Sequence, residues 1–241
     1  MSFIISGKIK KGFFKERLNR FVCLVEIDEI VHNCHLPNPG RMIELLIPNI
    51  TPVLVKLNDS PTRKTKATLI AVIKETEIIN LDTSIVSNWF EYEIKNKTFS
   101  GLNHCNLIRK EIPILHHRID FLLADGNEKE IFVEIKSTTL VRNGVACFPD
   151  GVSKRAVSQL KLLKELSDKG GNVLIIFIVQ RKSNSFSPCS DIDPEFAMLF
   201  SELQNSNIKF MAIQSSCILS QINDNFYLSF KMDYELPINQ L

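Results

Sequence analysis

Residues 118–136 read RIDFLLADGNEKEIFVEIK, which is two apolar runs separated by turn-forming residues. Alternate residues of an extended strand share a face, so the second run directs Glu134 and Lys136 to one side. The turn sequence at 125–127 predicts that the two runs pair as a hairpin and that Asp120 comes close to Glu134. We therefore expect two acids and a lysine to converge at one point.

The expected cluster has the chemistry of a metal centre. Two carboxylates at short range repel each other unless a cation or a proton lies between them, and oxygen ligands suit Mg²⁺. Lys136 would then orient an attacking water or offset transition-state charge, as phosphodiester hydrolysis requires. The pattern alone leaves one alternative open, in which these charges form the exposed face of an antiparallel sheet. A second Glu-x-Lys triplet, at 93–95, is interpreted as an ordinary solvated pair on a helix.

Composition limits the class of protein. The chain has 241 residues and is 44% hydrophobic, which is enough for a packed core in one domain or two. It has no long uncharged apolar window and no signal-peptide core near its start, so we expect a cytoplasmic protein without membrane contact. Its six cysteines form no CxxC pair, and the cluster His32-Asn33-Cys34-His35 lacks a second ligand pair, so structural zinc is disfavoured.

Positive charge is concentrated near the start of the chain. Between Lys8 and Arg20 there are six basic residues and one acidic residue, and a second basic run occupies 63–66. Phenylalanines at 13, 14 and 21 lie among these bases, a combination that suits phosphates and exposed bases of a nucleic acid. A basic solvated face with core phenylalanines is the alternative. The predicted nucleic-acid contacts in this part of the chain are Lys11, Arg17, Arg20, Arg41, Arg63 and Lys64.

The first eighty residues are predicted to be all-β. Short apolar runs at near-regular spacing indicate a small barrel, for which we favour the oligonucleotide/oligosaccharide-binding (OB) form; the runs are 20–27, 30–36, 51–57 and 67–74. A helix is expected over 84–97, with Trp89 and Phe90 as core residues. We place the domain boundary between residues 82 and 83.

Strands and helices alternate in the remainder, which predicts an α/β domain over 83–241. A helix is expected from 154 to about 167 with Ser153 as its N-cap, and another from 194 to about 204 with Asp193 as its cap. The uninterrupted apolar run at 173–179 predicts a strand that is covered on both faces.

Several motifs together resemble the sugar fermentation stimulation protein A (SfsA) family across nearly the whole chain. They are LPNPGRM (36–42), RKT (63–65), RIDFLL (118–123), VEIKSTTL (133–140) and FPD (148–150), followed by Arg155. The resemblance implies an α/β fold class in which an N-terminal OB-like β-barrel precedes a PD-(D/E)xK nuclease-like domain. It also implies DNA binding and, more loosely, control of sugar-utilisation genes. Where the family commonly has Asn-Thr-Gly, this chain has Asn38-Pro39-Gly40, so proline stiffens the turn.

Carried over residue by residue, the resemblance places the nuclease pattern on Asp120, Glu134 and Lys136. Asp120 and Glu134 are the implied ligands of Mg²⁺ or Mn²⁺, and either Glu111 or Glu93 is the additional acid, with Glu111 preferred. On the helix after the hairpin, Arg155 and Gln159 match polar positions that face nucleic acid.

Two functions from different classes follow from these observations. One is a DNA-binding protein that is largely independent of base sequence, and the other is a Mg²⁺-dependent deoxyribonuclease. A sugar-binding regulator would use the same barrel, but no aromatic platform for a sugar is evident. His116 and His117 lie beside the hairpin and either contact substrate or, as we prefer, are satisfied by a nearby carbonyl. The sequence does not indicate an oligomeric state.

Overall fold

The computed structural model describes residues 2–58, 62–223 and 225–240, which contain fifteen strands and three helices. In chain order they are β1 (Phe3–Arg17), β2 (Val22–Ile27), β3 (Ile30–His35), β4 (Pro52–Leu57), β5 (Ala67–Lys74), β6 (Glu77–Asn80), α1 (Thr83–Lys95), β7 (Asn106–Ile114), β8 (His117–Ala124), β9 (Glu130–Thr138), β10 (Leu140–Arg142), β11 (Val145–Phe148), α2 (Lys154–Asp168), β12 (Asn172–Val179), β13 (Ser185–Pro188), α3 (Pro194–Gln204), β14 (Lys209–Ile222) and β15 (Asn225–Leu236). In the described part of the chain, no helix is long and apolar enough to cross a membrane.

The chain packs into two compact units. The first comprises Met1–Ile85 and Ser215–Met232, and the second comprises Val86–Gln214 and Asp233–Leu241. The division expected between residues 82 and 83 stays a prediction about domains. Packing differs from it in one respect, because a segment near the end of the chain returns to the first unit.

The first unit has the strand order of an OB-like barrel. β1 pairs antiparallel with both β2 and β4, β2 pairs with β3, β3 runs parallel to β5, and β5 pairs with β4, so the pairings lead back to β1. The strands approach closely at Gly12, where a Cβ would lie 2.5 Å from the backbone oxygen of Glu26, and only glycine allows this. Fully buried side chains such as Leu36, Val53 and Leu69 fill the interior.

The second unit contains a mixed five-stranded sheet in the order β14, β12, β9, β8 and β7. β9, β12 and β14 run parallel, whereas β7, β8 and β9 are antiparallel neighbours. β12 is buried from Val173 to Val179, as expected for a central strand of a parallel sheet. A separate sheet consists of β10, β11 and β13.

The helices of the second unit begin at capping side chains, as their sequences predict. Ser153 Oγ accepts a hydrogen bond from the backbone N–H of Ala156 at 3.2 Å, and Asp193 Oδ1 accepts one from that of Phe196 at 3.1 Å. The other oxygen of Asp193 accepts the backbone N–H of Ser153 at 2.8 Å, so one buried carboxylate serves the starts of both α2 and α3.

Aromatic side chains hold these helices to the sheet. Phe177 of β12 lies 5.8 Å from Phe200 of α3 between ring centroids, and burying a ring of this size contributes about 1.5–3 kcal/mol. Trp89 and Phe90 are fully buried, and Phe90 lies 4.8 Å from Phe121 of β8. The interpretation of Trp89 and Phe90 as core residues is confirmed.

Arg17, at the end of β1, has a structural role in the first unit. Its five N–H donors are all engaged by backbone carbonyls; the acceptors are Asn19 (3.2 Å), Arg20 (2.9 Å), Asn38 (3.1 Å), Gly40 (2.5 Å) and Arg41 (3.1 Å). The guanidinium therefore ties the β1–β2 turn to the loop around the proline-stiffened Asn38-Pro39-Gly40. We assign it to this function in place of the phosphate contact expected from the sequence.

Replacing Arg17 should destabilise the protein, whereas replacing its neighbour Arg20 should not. We expect Arg17→Met to lower the free energy of unfolding by about 1–3 kcal/mol, since several backbone carbonyls lose their donor. Arg20→Met removes an exposed charge and should change it by less than about 0.5 kcal/mol. Urea unfolding followed by circular dichroism gives both values, and equal effects of the two substitutions would contradict the structural role.

Candidate functional site

The candidate site forms where β8 and β9 part. Their pairing runs from Ala124 opposite Glu130 to Phe121 opposite Val133. One step further along, the backbone N–H of Ile135 donates to Asp120 Oδ2 at 2.8 Å, so a side-chain carboxylate takes the role of a backbone carbonyl. This substitution positions Asp120 beside Glu134, the neighbour of Ile135 on β9.

Glu134, Lys136 and Gln159 form a buried polar chain. The ammonium Nζ of Lys136 donates to Glu134 Oε1 at 2.7 Å and also to Oε1 of Gln159. Gln159, on α2, donates from Nε2 to the carbonyl of Arg118 at 3.4 Å. Because only 3% of Glu134 and 2% of Gln159 are exposed, water does not screen these interactions.

Lys136 does not neutralise both carboxylates of the site, Asp120 and Glu134. Burial, and then the charge of Glu134, raises the pKa of Asp120 to about 7, although Lys136 and the Ile135 N–H act in the opposite direction. Oε2 of Glu134 is buried and has no hydrogen-bond partner among the described residues. A buried carboxylate oxygen without a partner is costly, and a divalent cation would satisfy it.

Asp120 and Glu134 therefore fit a divalent cation that prefers oxygen ligands. Within residues 2–58, 62–223 and 225–240 no group of three His, Cys, Asp or Glu side chains is arranged to hold a metal ion. Two carboxylates are nevertheless enough for Mg²⁺, which usually keeps several of its waters.

The two candidates for the additional acid lie in different surroundings. Glu111 lies on β7, whose pairs Lys110–Phe121 and Ile112–Ile119 with β8 place Glu111 opposite Asp120. The charge of Glu111 contributes to the raised pKa of Asp120. Glu111 is exposed and has a φ of 53°, a left-handed conformation that is unusual for glutamate.

Glu93 is used within α1 and its following turn. Its carboxylate accepts hydrogen bonds from Trp89 Nε1 at 3.2 Å and from Thr98 Oγ1 at 2.5 Å, and it is 4% exposed. The interpretation of Glu93 and Lys95 as a solvated pair is wrong, because Lys95 pairs with Glu91 instead. Of the two, Glu111 is therefore the acid that lies beside Asp120, and its role as auxiliary acid stays a prediction.

The remaining predicted nucleic-acid contacts differ in exposure. Six of the basic side chains are on the surface; they are Lys11, Arg20, Arg41, Arg63, Lys64 and Arg155. Phe13 and Phe21 are each 48% exposed, whereas Phe14 is a core residue at 1%. Gln159 is buried and holds Lys136, so its contribution to the site is to position that lysine.

His117 and Cys34 both have structural partners. Nε2 of His117 lies 2.8 Å from the hydroxyl Oγ of Ser158, and not beside the carbonyl that we expected. Cys34 is fully buried opposite Cys23, and burial raises the pKa of both thiols to about 12, so neither resembles a zinc ligand.

Both parts of the chain match family models. Residues 16–81 match the "SfsA N-terminal OB domain" and residues 82–221 match the "Sugar fermentation stimulation protein RE domain". These matches and the strand order of the two units confirm the predicted fold class, an OB-like barrel followed by a nuclease-like α/β domain.

Similar proteins are known at the levels of sequence and structure. A sugar fermentation stimulation protein homolog of Ruminiclostridium cellulolyticum is 36% identical over 218 residues, covering 88% of this chain and 92% of that protein. The homolog of Clostridium beijerinckii is 35% identical, covering 91% and 95%. The structure of Pyrococcus furiosus SfsA in complex with Ca²⁺ superposes with a TM-score of 0.87 at 27% identity, covering 99% of each chain.

The raised pKa of Asp120 predicts how stability depends on pH in the metal-free protein. The folded state holds this proton more tightly than the unfolded chain, so its stabilising effect is lost as the pH rises towards and through about 7. With EDTA present, we expect the wild type to lose on the order of 2 kcal/mol between pH 5 and 8 relative to Asp120→Asn. Urea titrations at both pH values measure this difference.

Glu130→Gln is the matched control, because it removes an exposed carboxylate from the same strand pair. If Asp120→Asn and the wild type keep a constant difference across this pH range, the carboxyl does not titrate as described.

Proposed function

This chain belongs to the sugar fermentation stimulation protein (SfsA) family, and we propose that it binds DNA and carries a nuclease-type divalent-metal site in its second domain. Binding is expected to be largely independent of base sequence. The observation that carries the metal site is the buried Oε2 of Glu134, which lacks a partner in the described residues while the charge of Glu134 acts on the neighbouring carboxyl of Asp120.

The relative from Pyrococcus furiosus supports the choice of ion class. That protein was solved in complex with Ca²⁺, a cation that takes oxygen ligands as Mg²⁺ does. In this chain, the carboxylates of Asp120 and Glu134 offer such oxygens. We propose Mg²⁺ or Mn²⁺ as the ion for this site.

The surface of the first unit supports a DNA-binding role. Exposed bases at Lys11, Arg20, Arg41, Arg63 and Lys64 accompany the half-exposed rings of Phe13 and Phe21. Lysine and arginine neutralise phosphates and release counterions, whereas aromatic rings accept stacked bases of any identity. Neither interaction reads the edge pattern of a base pair, which is why we propose sequence-independent binding.

Hydrolysis of phosphodiester bonds is the second candidate function, and the position of Lys136 favours it. A divalent ion at this site would activate a water and polarise a phosphoryl oxygen. The ammonium of Lys136 is held between Glu134 and Gln159, so it is preorganised to orient a water or to neutralise charge on a phosphate. Glu111 would assist as an additional acid, and the exposed Arg155 would steady the scissile phosphate.

DNA binding should depend steeply on ionic strength. We expect the apparent affinity for a duplex to fall linearly with salt on a double logarithmic scale, because counterion release supplies most of the free energy. The variant Arg20→Gln/Lys64→Gln should lower this slope by roughly 0.9 for each phosphate that is no longer neutralised. Gel-shift or anisotropy titrations between about 50 and about 300 mM salt provide the slopes.

The double variant Lys95→Gln/Lys161→Gln is the matched control, since both lysines are exposed but paired with glutamates. Its slope should equal that of the wild type. Affinity that stays constant at high salt, or that differs strongly between duplexes of unrelated sequence, would contradict the proposed mode of binding.

Cleavage can be tested with substitutions that change charge but little volume. With Mg²⁺ or Mn²⁺ present, the wild type should nick supercoiled plasmid or degrade single-stranded DNA, and Asp120→Asn and Lys136→Met should reduce the rate at least about 100-fold. Glu130→Gln should retain the wild-type rate. Equal nicking by all four proteins, or intact DNA in every reaction, would exclude catalysis at this site.

Metal binding has its own readout and does not depend on turnover. A cation that binds only the folded state raises the melting temperature, so Mg²⁺ or Mn²⁺ should stabilise the wild type and Lys136→Met but not Asp120→Asn. Stabilisation without cleavage would assign the site to binding alone.

A further inference from the structure

A hollow on the first unit is lined by charged and polar residues, of which the proposed function uses only Lys11. It has a volume of about 220 Å³, and its polar lining comprises Lys8, Lys10, Lys11, Asp28 and Asn225. The ring of Phe226 forms an apolar part of the wall. These residues come from β1, the turn after β2 and the start of β15.

An irregularity in β1 lies directly before the lysines that line this hollow. Ile5 lies opposite Leu228 and Ile9 lies opposite Phe226, so β1 advances by four residues over a stretch in which β15 advances by two. The extra residues form a bulge at Gly7, whose φ is 117° and where the Cβ of any other residue would lie only 2.8 Å from Lys56 Cδ. Bulges of this kind redirect side chains and are frequent beside functional sites.

Two neighbouring lysines after the bulge line the same hollow. β1 pairs regularly with β4 from Ile9 to Phe13, so Lys10 and Lys11 leave opposite faces of the strand, yet both reach the hollow. Here the ammonium of Lys10 pairs with Asp28, and that of Lys11 lies 4.8 Å from the ring centroid of Phe226. Both partners line the hollow.

The hollow has a surplus of positive charge. Of its described lining residues, three are lysines and one is an aspartate, which is already paired with Lys10. Among the residues that the structure describes, no carboxylate forms a salt bridge with Lys8 or Lys11. Like charges at short range repel, so a bound anion would stabilise this arrangement.

We propose that this hollow binds a terminal phosphate group, carried either by a small phosphorylated metabolite or by the end of a nucleic-acid strand. Lysine ammonium groups bind phosphate as compact point charges, and the Asn225 amide can donate a further hydrogen bond. The ring of Phe226 offers an apolar wall to the sugar that carries the phosphate. An internal phosphodiester continues in two directions and needs a groove, whereas a terminal phosphate fits a hollow of limited volume.

The test compares ligands that differ only by the phosphate. Ribose 5-phosphate is titrated against ribose, and a 5′-phosphorylated single-stranded octamer is titrated against the same octamer with a 5′-hydroxyl, by calorimetry in EDTA. We expect at least one phosphorylated ligand to bind at least about 10-fold more tightly than its partner, because the terminal phosphate adds charge-assisted hydrogen bonds. Whichever phosphorylated ligand binds more tightly identifies the source of the phosphate.

The double variant Lys8→Gln/Lys11→Gln should bind the phosphorylated ligand at least about 10-fold more weakly than the wild type does. The control variant Lys66→Gln should bind it as the wild type does, because Lys66 is an exposed lysine of the same unit outside the hollow. In the wild type, the NMR signals of Asn225 and Phe226 should shift during the titration. Equal affinity with and without the phosphate, equal loss in both variants, or shifts elsewhere only would overturn the proposal. Because ribose 5-phosphate is not DNA, its result is independent of whether the chain binds a duplex.

Discussion

The candidate site depends on the repulsion between two carboxylates that the fold forces together. Asp120 cannot move away, because its Oδ2 accepts the Ile135 N–H where a backbone carbonyl would otherwise do so. Glu134 cannot turn to water, because its strand is covered and Lys136 holds one of its oxygens. The pKa of Asp120 is raised first by burial and then by the charge of Glu134, and Oε2 of Glu134 has no partner among the described residues. Both are relieved by a cation, which is why a binding site is the simplest physical account of the geometry.

Residue type alone does not determine what a basic side chain does in this protein. Arg17 and Arg20 belong to the same basic run, yet one saturates its donors on backbone carbonyls while the other is exposed. Three of the carbonyls around Arg17 belong to a loop with a proline at 39, which cannot itself donate a backbone hydrogen bond, and the other two belong to the β1–β2 turn. A guanidinium with five donors is well suited to a loop of this kind. The positive charge near the start of the chain therefore serves both structure and surface.

Short-range patterns predicted much of the fold and part of the site. The alternation in 131–136 was enough to place Glu134 and Lys136 on one face, and the caps at Ser153 and Asp193 marked the starts of two helices. Long-range contacts could not be predicted in this way. The packing of residues 215–232 with the first unit has no local signature. The Glu93 hydrogen bonds to Trp89 and Thr98 are local, but the Glu-x-Lys triplet indicated a different partner. The bond from Lys136 to Gln159 required knowing which turn of α2 lies over β9.

The shared carboxylate of Asp193 links two helices that the sequence separates by many residues. It caps α3 and also binds the backbone where α2 begins, and α2 carries Gln159 and Arg155. The start of α2 is thus fixed partly by a residue outside the candidate site and late in the chain. Gln159 on α2 accepts a hydrogen bond from the Lys136 ammonium, so the placement of α2 bears on where that ammonium lies. A substitution of Asp193 would therefore reach the candidate site through α2, although Asp193 itself caps a different helix.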